Sequence, residues 1–378
     1  MNAAELLLKT FDGAPTARCP VAPKIWIDLA ARLTGAEPRA IIEKPRLAML
    51  CVIDAAVATG ADAARMFFIP ARRTRLADGR LTEVDAQGRR IGEIDLAGGW
   101  ATRLDRAEDF SIENPAHIAY RAFRKHGEPR IHSVADAARI AVPDRAFWVA
   151  HTANALSAAL ARAGERIALI GDCDSATLAW YIEFRGMERA MMDLIEHPRL
   201  VHAVIERGVE YAVERGKFCM DRGLRVLRLN DSVANMSVVS PAMWREFVFP
   251  HMRDVCAELH RYDPGVRIYC HICGNVLPVI EDLVAAGLDA IGPLDPLGGF
   301  TVAEARARVG GSVTLLGGVN TMDFIHAAPD AMAAQAKRCI REGQAEGSRY
   351  ILSSGCALPP GTKRENLVAL RQASEAAQ

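Results

Sequence analysis

The fold is decided by the stretch VRIYCHICGN at residues 266–275. Its first half, 266–270, is a short and mostly apolar run of the kind that forms a buried β-strand. Small and polar residues follow at once, and Asn275 is placed to cap a helical stretch at 276–286 that Gly287 ends. The stretch therefore predicts one strand–loop–helix unit of a parallel α/β protein.

The same theme recurs along the chain from about residue 160 onward. Five further apolar runs end in small or polar residues, at 166–170, 224–229, 288–291, 312–316 and 350–352. Strands separated by helical stretches indicate right-handed βαβ units and a parallel sheet. Regular units over 160–365, with polar residues at each strand exit and no G-x-G-x-x-G nucleotide motif, favour a (β/α)8 TIM barrel over an open sheet.

The first 150 residues are less regular, and we interpret them as an N-terminal elaboration of the same domain. Residues 48–59 are predicted to be helical, and 64–69 are a candidate first barrel strand. Short alternating runs with Asp- and Gly-rich turns over 72–100 predict an inserted β-hairpin or meander. Because the chain has no Pro- or Ser-rich linker, we expect residues 1–378 to form one domain. The insertion is expected to pack near the barrel mouth or in a homodimer contact.

Composition excludes several partners. The chain has 378 residues, half of them hydrophobic, and 46 basic residues balance 46 acidic ones. A net charge of zero gives no electrostatic reason to expect a nucleic acid or an anionic membrane as partner. The sequence start lacks the pattern of a signal peptide, and no apolar run approaches the roughly 20 residues of a membrane span. Nine cysteines in no repeating pattern fit a reducing compartment, so we expect a cytoplasmic protein.

A candidate metal site follows two of the predicted strands. His271 and Cys273 come directly after one strand, and Cys356 comes shortly after the strand at 350–352. In an extended segment, residues two apart project to the same side, whereas Cys270 points the other way. One imidazole and two thiolates form a three-ligand zinc set that leaves a fourth position open for chemistry. The alternative is that these side chains pack without metal, with Cys356 as a small residue in a Gly-rich turn.

Further polar residues stand at the strand exits, where a barrel keeps its active site. They are Asp172, Asp174, Asn230, Asp231, Asp295 and Asn320. Such residues orient metal ligands or hold a substrate, but Asp and Asn are also common helix N-caps. The cap interpretation is favoured for Asp174 and Asn320. Asp231 lies in the exit before the metal strand and is our candidate catalytic residue.

From Gly171 to the end, the chain resembles the uroporphyrinogen decarboxylase superfamily. The motifs that carry this resemblance lie at 194–198, 240–247, 287–290, 294–297 and 316–321. The resemblance covers more than half of the chain. It implies a (β/α)8 barrel, in agreement with the strand pattern.

Within this superfamily, the chain looks like the corrinoid-dependent methyltransferase branch. The H-x-C pair at 271–273 and the Ser-Gly-Cys-x-x-Pro pattern at 354–359 carry this likeness. It implies Zn²⁺ on His271, Cys273 and Cys356, and methyl transfer between a corrinoid (cobalamin) and a thiol such as coenzyme M or a small methyl donor. No cobalamin-binding module is visible in the sequence, so the corrinoid is expected on a partner protein or as a free cofactor.

The chain departs from the decarboxylases near its N-terminus. Their Pro-Val-Trp and Arg-Gln-Ala-Gly-Arg segment grips substrate carboxylates, and the corresponding stretch here lies at 23–32. Trp26 is kept, but Asp28 takes the place of the first arginine, and we expect both to contact substrate. An acid at this place argues against a porphyrinogen substrate. Two alternatives stay open, namely a metal-independent decarboxylase of another acid and a non-catalytic zinc- or corrinoid-binding protein.

Overall fold

The structure, a computed structural model, describes residues 1–377. Its strands are β1 (Ala63–Arg65), β2 (Arg73–Ala77), β3 (Arg80–Val84), β4 (Arg90–Ile94), β5 (Thr102–Leu104), β6 (Arg124–Lys125), β7 (Ala168–Asp174), β8 (Val226–Asn230), β9 (Arg267–His271), β10 (Ala290–Leu294), β11 (Thr314–Val319) and β12 (Tyr350–Ser354).

The α-helices surround these strands. They are α1 (Ala3–Asp12), α2 (Ile27–Thr34), α3 (Pro38–Glu43), α4 (Pro45–Thr59), α5 (Pro115–Ala119), α6 (Val134–Ala138), α7 (Arg145–Ala163), α8 (Leu178–Arg185), α9 (Met187–Glu196), α10 (Pro198–Asp221), α11 (Pro241–Phe247), α12 (Phe249–Tyr262), α13 (Ile280–Ala285), α14 (Val302–Val309), α15 (Asp323–His326), α16 (Pro329–Gly343) and α17 (Arg364–Glu375). Among the helices of residues 1–377, none has the length and apolar character needed to cross a membrane.

Seven parallel strands form the curled sheet of the barrel, in the order β1, β7, β8, β9, β10, β11, β12. Residues 20–24 bridge its two edges. The amide of Ala22 donates to the carbonyl of Leu352 at 2.8 Å, and the amide of Asp62 donates to the carbonyl of Val21 at 2.7 Å. This segment occupies the eighth place of the ring. The expected first strand at 64–69 is therefore corrected to the shorter β1, which stands second in the ring after residues 20–24.

The predicted parallel α/β fold is confirmed, and each of the six predicted barrel strands overlaps an observed one. Each of these strands ends one or more residues after the apolar run that predicted it. Asp172 and Asp174 thus lie within β7, Asn230 ends β8 and His271 ends β9. Polar residues extend these strands because the parallel ladder uses backbone groups that are indifferent to side-chain polarity.

Helix α1 covers one end of the barrel. Its residues Leu7 and Phe11 are buried in one cluster with Ala63, Ala168 and other residues near the strand starts. Asn2 and Glu5 form a capping box that fixes where α1 begins. Because this helix seals the N-terminal ends of the strands, their C-terminal ends are left for a site.

The inserted segment forms a second sheet of five strands, in the order β2, β3, β4, β5, β6. Pairs from β2 to β5 are antiparallel, and β6 joins β5 in parallel. Buried Arg72 ties the segment together by donating to the carbonyl of Trp100 at 2.6 Å and to Thr102 Oγ1 at 3.2 Å. The sheet extends beyond the predicted 72–100 because β5 and β6 complete it.

Candidate active site

Two strand ends bring the three predicted metal ligands together. His271 is the last residue of β9, Cys273 follows it by two residues, and Cys356 follows β12 by two residues. The ligand atoms of all three lie within 4.8 Å of one another, and Cys356 Sγ is 3.9 Å from His271 Nε2. A tetrahedral zinc site with bonds of about 2.0–2.3 Å separates its donor atoms by roughly 3.5–3.8 Å. The spacing therefore fits a zinc ion.

The protonation chemistry of these side chains also fits a metal. His271 is buried, and its Nδ1 has no hydrogen-bond partner among the described residues. Burial, with Lys24 nearby, holds the pKa of His271 well below its usual range, so the imidazole is neutral. The hydrogen bond with Cys273 lowers the pKa of Cys356 to about 6 and raises the pKa of Cys273 itself. His271 and Cys356 thus have the neutral imidazole and thiolate forms that bind metals, whereas Cys273 must lose its proton when a metal binds.

Asp295 and Ser354 hold the ligand loops in place. The carboxylate of Asp295 accepts from the amide of Gly274 at 3.1 Å and from the amide of Leu297 at 3.0 Å. It therefore ties the loop after Cys273 to the loop after β10. Ser354 Oγ donates to the carbonyl of Cys356 at 2.7 Å. Such contacts orient ligands, which is one of the roles expected for Asp295 from the sequence.

Lys24 is a site residue that the sequence analysis missed. Its Nζ lies 3.1 Å from His271 Nε2, and burial lowers its pKa to about 7. The residue sits on the eighth barrel segment, whose backbone amide at Lys24 donates to Ser354 Oγ at 3.0 Å. The sequence of this segment, PVAPK at 20–24, carries two prolines and so gives no strand signal.

A cavity of about 370 Å³ is lined by Lys24, which contacts His271, and by Ala357, the residue after Cys356. We call it the mouth cavity. Its apolar wall contains the aromatic rings of Trp26, Phe67, Phe68, Tyr120 and Phe123. Its charged lining consists of Lys24, Lys125, Asp172, Asp174, Glu183, Arg215 and Arg228. Asn230 also lines it, and Gly98 and Gly99 of the insertion border it. Trp26, Asp172, Asp174 and Asn230, which we expected to bind substrate, are thus brought together here.

The carboxylates of this lining are held by buried arginines. Asp172 accepts from Arg215 and, at 2.8 Å, from Arg228. Asp174 pairs with Arg215 at 3.1 Å and with Arg121 at 3.4 Å, and Glu183 pairs with Arg121. The arginines come from the turn at 121–123, from α10 and from β8. Separated elements therefore converge on one wall of the cavity.

Among residues 1–377, Asp231 is not one of those that line the mouth cavity. Its carboxylate accepts from the amides of Leu178 and Ala179, at 3.0 and 2.8 Å, where α8 begins. Burial raises its pKa to about 7, against the effect of the two amides. Its own amide donates to the carbonyl of His271 at 3.0 Å. This geometry favours a positioning role over the catalytic role that we expected from the sequence.

Asp28 and Asn320 also lie outside the lining of the cavity within the described chain. Asp28 accepts from the amide of Leu29 at 2.6 Å at the start of α2. Asn320 accepts from the amide of Met322 at 2.9 Å in the turn before α15. The N-cap of α15 is Met322, so Asn320 closes the turn before this helix and is not its cap as the sequence favoured. Neither Asn320 nor Asp28 is among the described residues that line the cavity.

Asp231→Ala tests the positioning role. Both amides at the start of α8 lose their acceptor in a buried place, so we expect the free energy of unfolding to fall by about 1–3 kcal/mol. Zinc content should not change. Urea unfolding and metal analysis of the same preparation measure both. Asp231→Asn, which keeps one acceptor oxygen, should lose less. An Asp231→Ala protein with normal stability and no activity would instead make Asp231 catalytic.

Comparisons with known proteins give the family of this barrel. A family model described as uroporphyrinogen decarboxylase (URO-D) matches residues 122–376. The chain belongs to this family. The resemblance inferred from the sequence motifs is therefore confirmed, and the match includes all three candidate ligands and every barrel strand from β7 onward.

Named relatives within the URO-D family have more than one activity. A uroporphyrinogen decarboxylase of Parasynechococcus marenigrum is 30% identical over 171 residues, 45% of this chain and 46% of the relative. The methylcobamide:CoM methyltransferase MtaA of Methanosarcina barkeri is 25% identical over 179 residues, 47% of this chain and 49% of the relative. The chain thus spans about half the length of the curated relatives it matches.

One solved structure matches the URO-D barrel over its whole length. A methyltransferase from Methanosarcina mazei aligns with a TM-score of 0.72 and 16% identity. The alignment covers 100% of this chain and 99% of that one. At this identity the match shows a shared fold, N-terminal part included, and does not by itself assign an activity.

Proposed function

We propose that this protein is a zinc-dependent methyltransferase that moves a methyl group between a small donor or acceptor and a corrinoid protein. The observation that carries the proposal is the meeting of His271, Cys273 and Cys356 beside the mouth cavity. Three nitrogen and sulfur ligands with room at a fourth position are the mark of a catalytic zinc site. The similarity to MtaA, a methyltransferase by name, supports the same activity.

His271, Cys273 and Cys356 would hold the zinc. When bound there, zinc supplies the charge that stabilises a thiolate or polarises the heteroatom of a methyl donor. Asp295 and Ser354 keep the ligand loops in register, and Asp231 fixes α8 beside them. Methyl transfer is an in-line displacement at carbon, so the walls of the cavity contribute mainly by positioning the substrate. The aromatic wall also keeps water from the reacting atoms.

A decarboxylase of the parent family is the second candidate function, because a uroporphyrinogen decarboxylase is 30% identical to half of this chain. The mouth cavity weighs against a tetrapyrrole. Its volume of about 370 Å³ lies at the low end of the range for small-molecule sites, roughly 300–1,000 Å³. Decarboxylation in this family needs no metal, so stoichiometric zinc would count against this candidate.

A direct assay tests the proposed function. The zinc-loaded protein is mixed with free methylcobalamin and coenzyme M or another small thiol, and demethylation of the corrinoid is followed by its visible spectrum. We expect turnover that depends on protein and thiol and that Cys356→Ala abolishes, because the thiol then loses its metal-bound thiolate form. If the protein bound zinc but transferred no methyl group, whether a corrinoid was paired with a thiol or with a methyl donor, the non-catalytic binding protein would be favoured. Loss of CO₂ from an organic acid by metal-free protein would favour the decarboxylase.

A further inference from the structure

The inserted sheet has one buried face and one exposed face. Leu81 and Ile94 point to the buried side and belong to the main hydrophobic core. Directly opposed residues of paired strands share a face, so the pairing register gives a row of side chains across the other side of all five strands. The row consists of Arg75, Thr82, Glu93, Arg103 and Lys125.

This exposed side, which we call the outer face, is basic. Arg73 and Arg80 lie two residues before members of the row on β2 and β3, so they share its side. The cations of the outer face are all exposed, and they are Arg73, Arg75, Arg80, Arg103 and Lys125. Within residues 1–377, only Arg80 among them is in an ion pair, with Glu93 at 3.4 Å. The outer face thus concentrates positive charge without ion-pair partners in a chain of zero net charge.

The outer face leads to the barrel mouth. Lys125 stands at its β6 edge and also lines the mouth cavity. Gly98 and Gly99, in the connection between β4 and β5, border the same cavity. Neighbouring strands lie about 4.8 Å apart, so Arg75 on β2 is roughly 19 Å across the sheet from Lys125. A macromolecule that rests on the outer face therefore reaches the entrance of the mouth cavity.

The side chains of the outer face favour an acidic protein over a nucleic acid as the occupant. Its uncharged members on β3 are Thr82 and Val84, which offer no aromatic ring on which a base could stack. Glu93, in the middle of the row, is unfavourable to a phosphate backbone that passes over it. Arginine predominates among the cations, and its planar fork matches the carboxylates of a protein surface in bidentate pairs.

Resting on the proposed function, we propose that the outer face is the docking surface for the corrinoid protein and that this partner presents an acidic surface to it. The proposed transfer requires the corrinoid to reach the mouth cavity, and the outer face ends at that cavity. Opposite charges on the two proteins speed their encounter and fix their orientation. The insertion thereby recognises the protein that carries the corrinoid, while the barrel provides the zinc ligands.

The double variant Arg75→Glu/Arg103→Glu tests this with two methyl donors. One donor is free methylcobalamin, and the other is a purified, methylated corrinoid protein of acidic isoelectric point. At low ionic strength we expect kcat/KM for the corrinoid protein to fall roughly tenfold or more, through KM and not through kcat. The loss should shrink at high salt, because these exposed charges are then screened. The rate with free methylcobalamin should not change, since neither arginine is among the described residues that line the cavity.

Lys337→Glu/Arg341→Glu is the matched control. Both residues are exposed on α16, and the two substitutions change the net charge by the same amount. This variant should use both donors as the unchanged protein does. Poly-L-glutamate, as a model of an acidic surface, should inhibit transfer from the corrinoid protein but not from methylcobalamin, and Arg75→Glu/Arg103→Glu should abolish its binding. Circular dichroism checks that both variants are folded.

Several results would overturn the inference. They are an equal loss with both donors, an equal loss in the α16 control, no loss with the corrinoid protein, and poly-L-glutamate binding that the reversal leaves intact. Tighter binding of duplex DNA than of poly-L-glutamate would assign the outer face to a nucleic acid instead. A dimer that only Arg75→Glu/Arg103→Glu dissociates would assign it to a second copy of the chain. Absence of transfer from methylcobalamin by the unchanged protein would sink the proposed function, so the two failures are distinct.

Discussion

Cys273→Ala is expected to empty the protein of zinc and to abolish methyl transfer while the barrel stays folded. The variant keeps His271 and Cys356, and two ligands do not hold zinc as three do. Even loss of a group behind the ligands costs about 10- to 100-fold in metal affinity, so loss of a ligand should cost more than about 100-fold. The half-buried Cys273 lies in a loop after β9, so its replacement removes little core packing. Elemental analysis, circular dichroism and the methylcobalamin assay measure the three effects.

Cys270→Ala is the control for this result. Cys270 is three residues earlier on β9, is 3% exposed and is not among the clustered ligands. The substitution Cys270→Ala should leave about one zinc per chain in place, since the Cys270 side chain is not one of the proposed zinc ligands. If Cys273→Ala retained as much zinc as Cys270→Ala, the ligand assignment would be wrong. Loss of zinc from both variants with loss of ellipticity would point to unfolding, and His271→Gln would then separate the two effects.

The barrel was predictable from sequence because its signal is local. An apolar run of a few residues predicts each strand from β7 onward, and Gly or polar residues follow near its end. The closing segment at 20–24 has no such signal. It contains two prolines, and it is held by contacts with β12 and with Asp62, which are remote in sequence. The closure of the barrel depends on these tertiary contacts, and the local sequence of residues 20–24 does not predict them.

The candidate site divides in the same way. His271, Cys273 and Cys356 could be found because residue type and position at strand ends are both visible in the sequence. The partners of Asp172 and Asp174 could not, since Arg121 and Arg215 are distant in the chain and nothing in their surroundings marks them. Asp231 was predicted to be catalytic because it follows a strand. In the structure its carboxylate accepts hydrogen bonds from the first two amides of α8. Position indicates which residues are near a site, whereas hydrogen bonds decide what they do.

Asp172→Ala is expected to destabilise the fold by about 3–5 kcal/mol, the cost of leaving a buried charge without its partner. Asp172 accepts from both Arg215 and Arg228, whose side chains are 2% and 5% exposed. Removal of the carboxylate leaves two guanidinium groups side by side in a low-dielectric wall, with Asp174 as the remaining partner of Arg215. The free energy of unfolding in urea measures the loss.

Asp105→Ala provides the matched control for this variant. Asp105 pairs with Arg90 at 2.8 Å, but the two side chains are 37% and 52% exposed, so water screens the charges. The same substitution should cost less than about 1 kcal/mol there. Asp172→Asn should fall between the two, because it keeps an acceptor oxygen for one arginine while the charge is lost. If Asp172→Ala cost no more than Asp105→Ala, the arginines must find water or another acceptor in the mouth cavity, and the charged wall would not be held by the ion pairs described above.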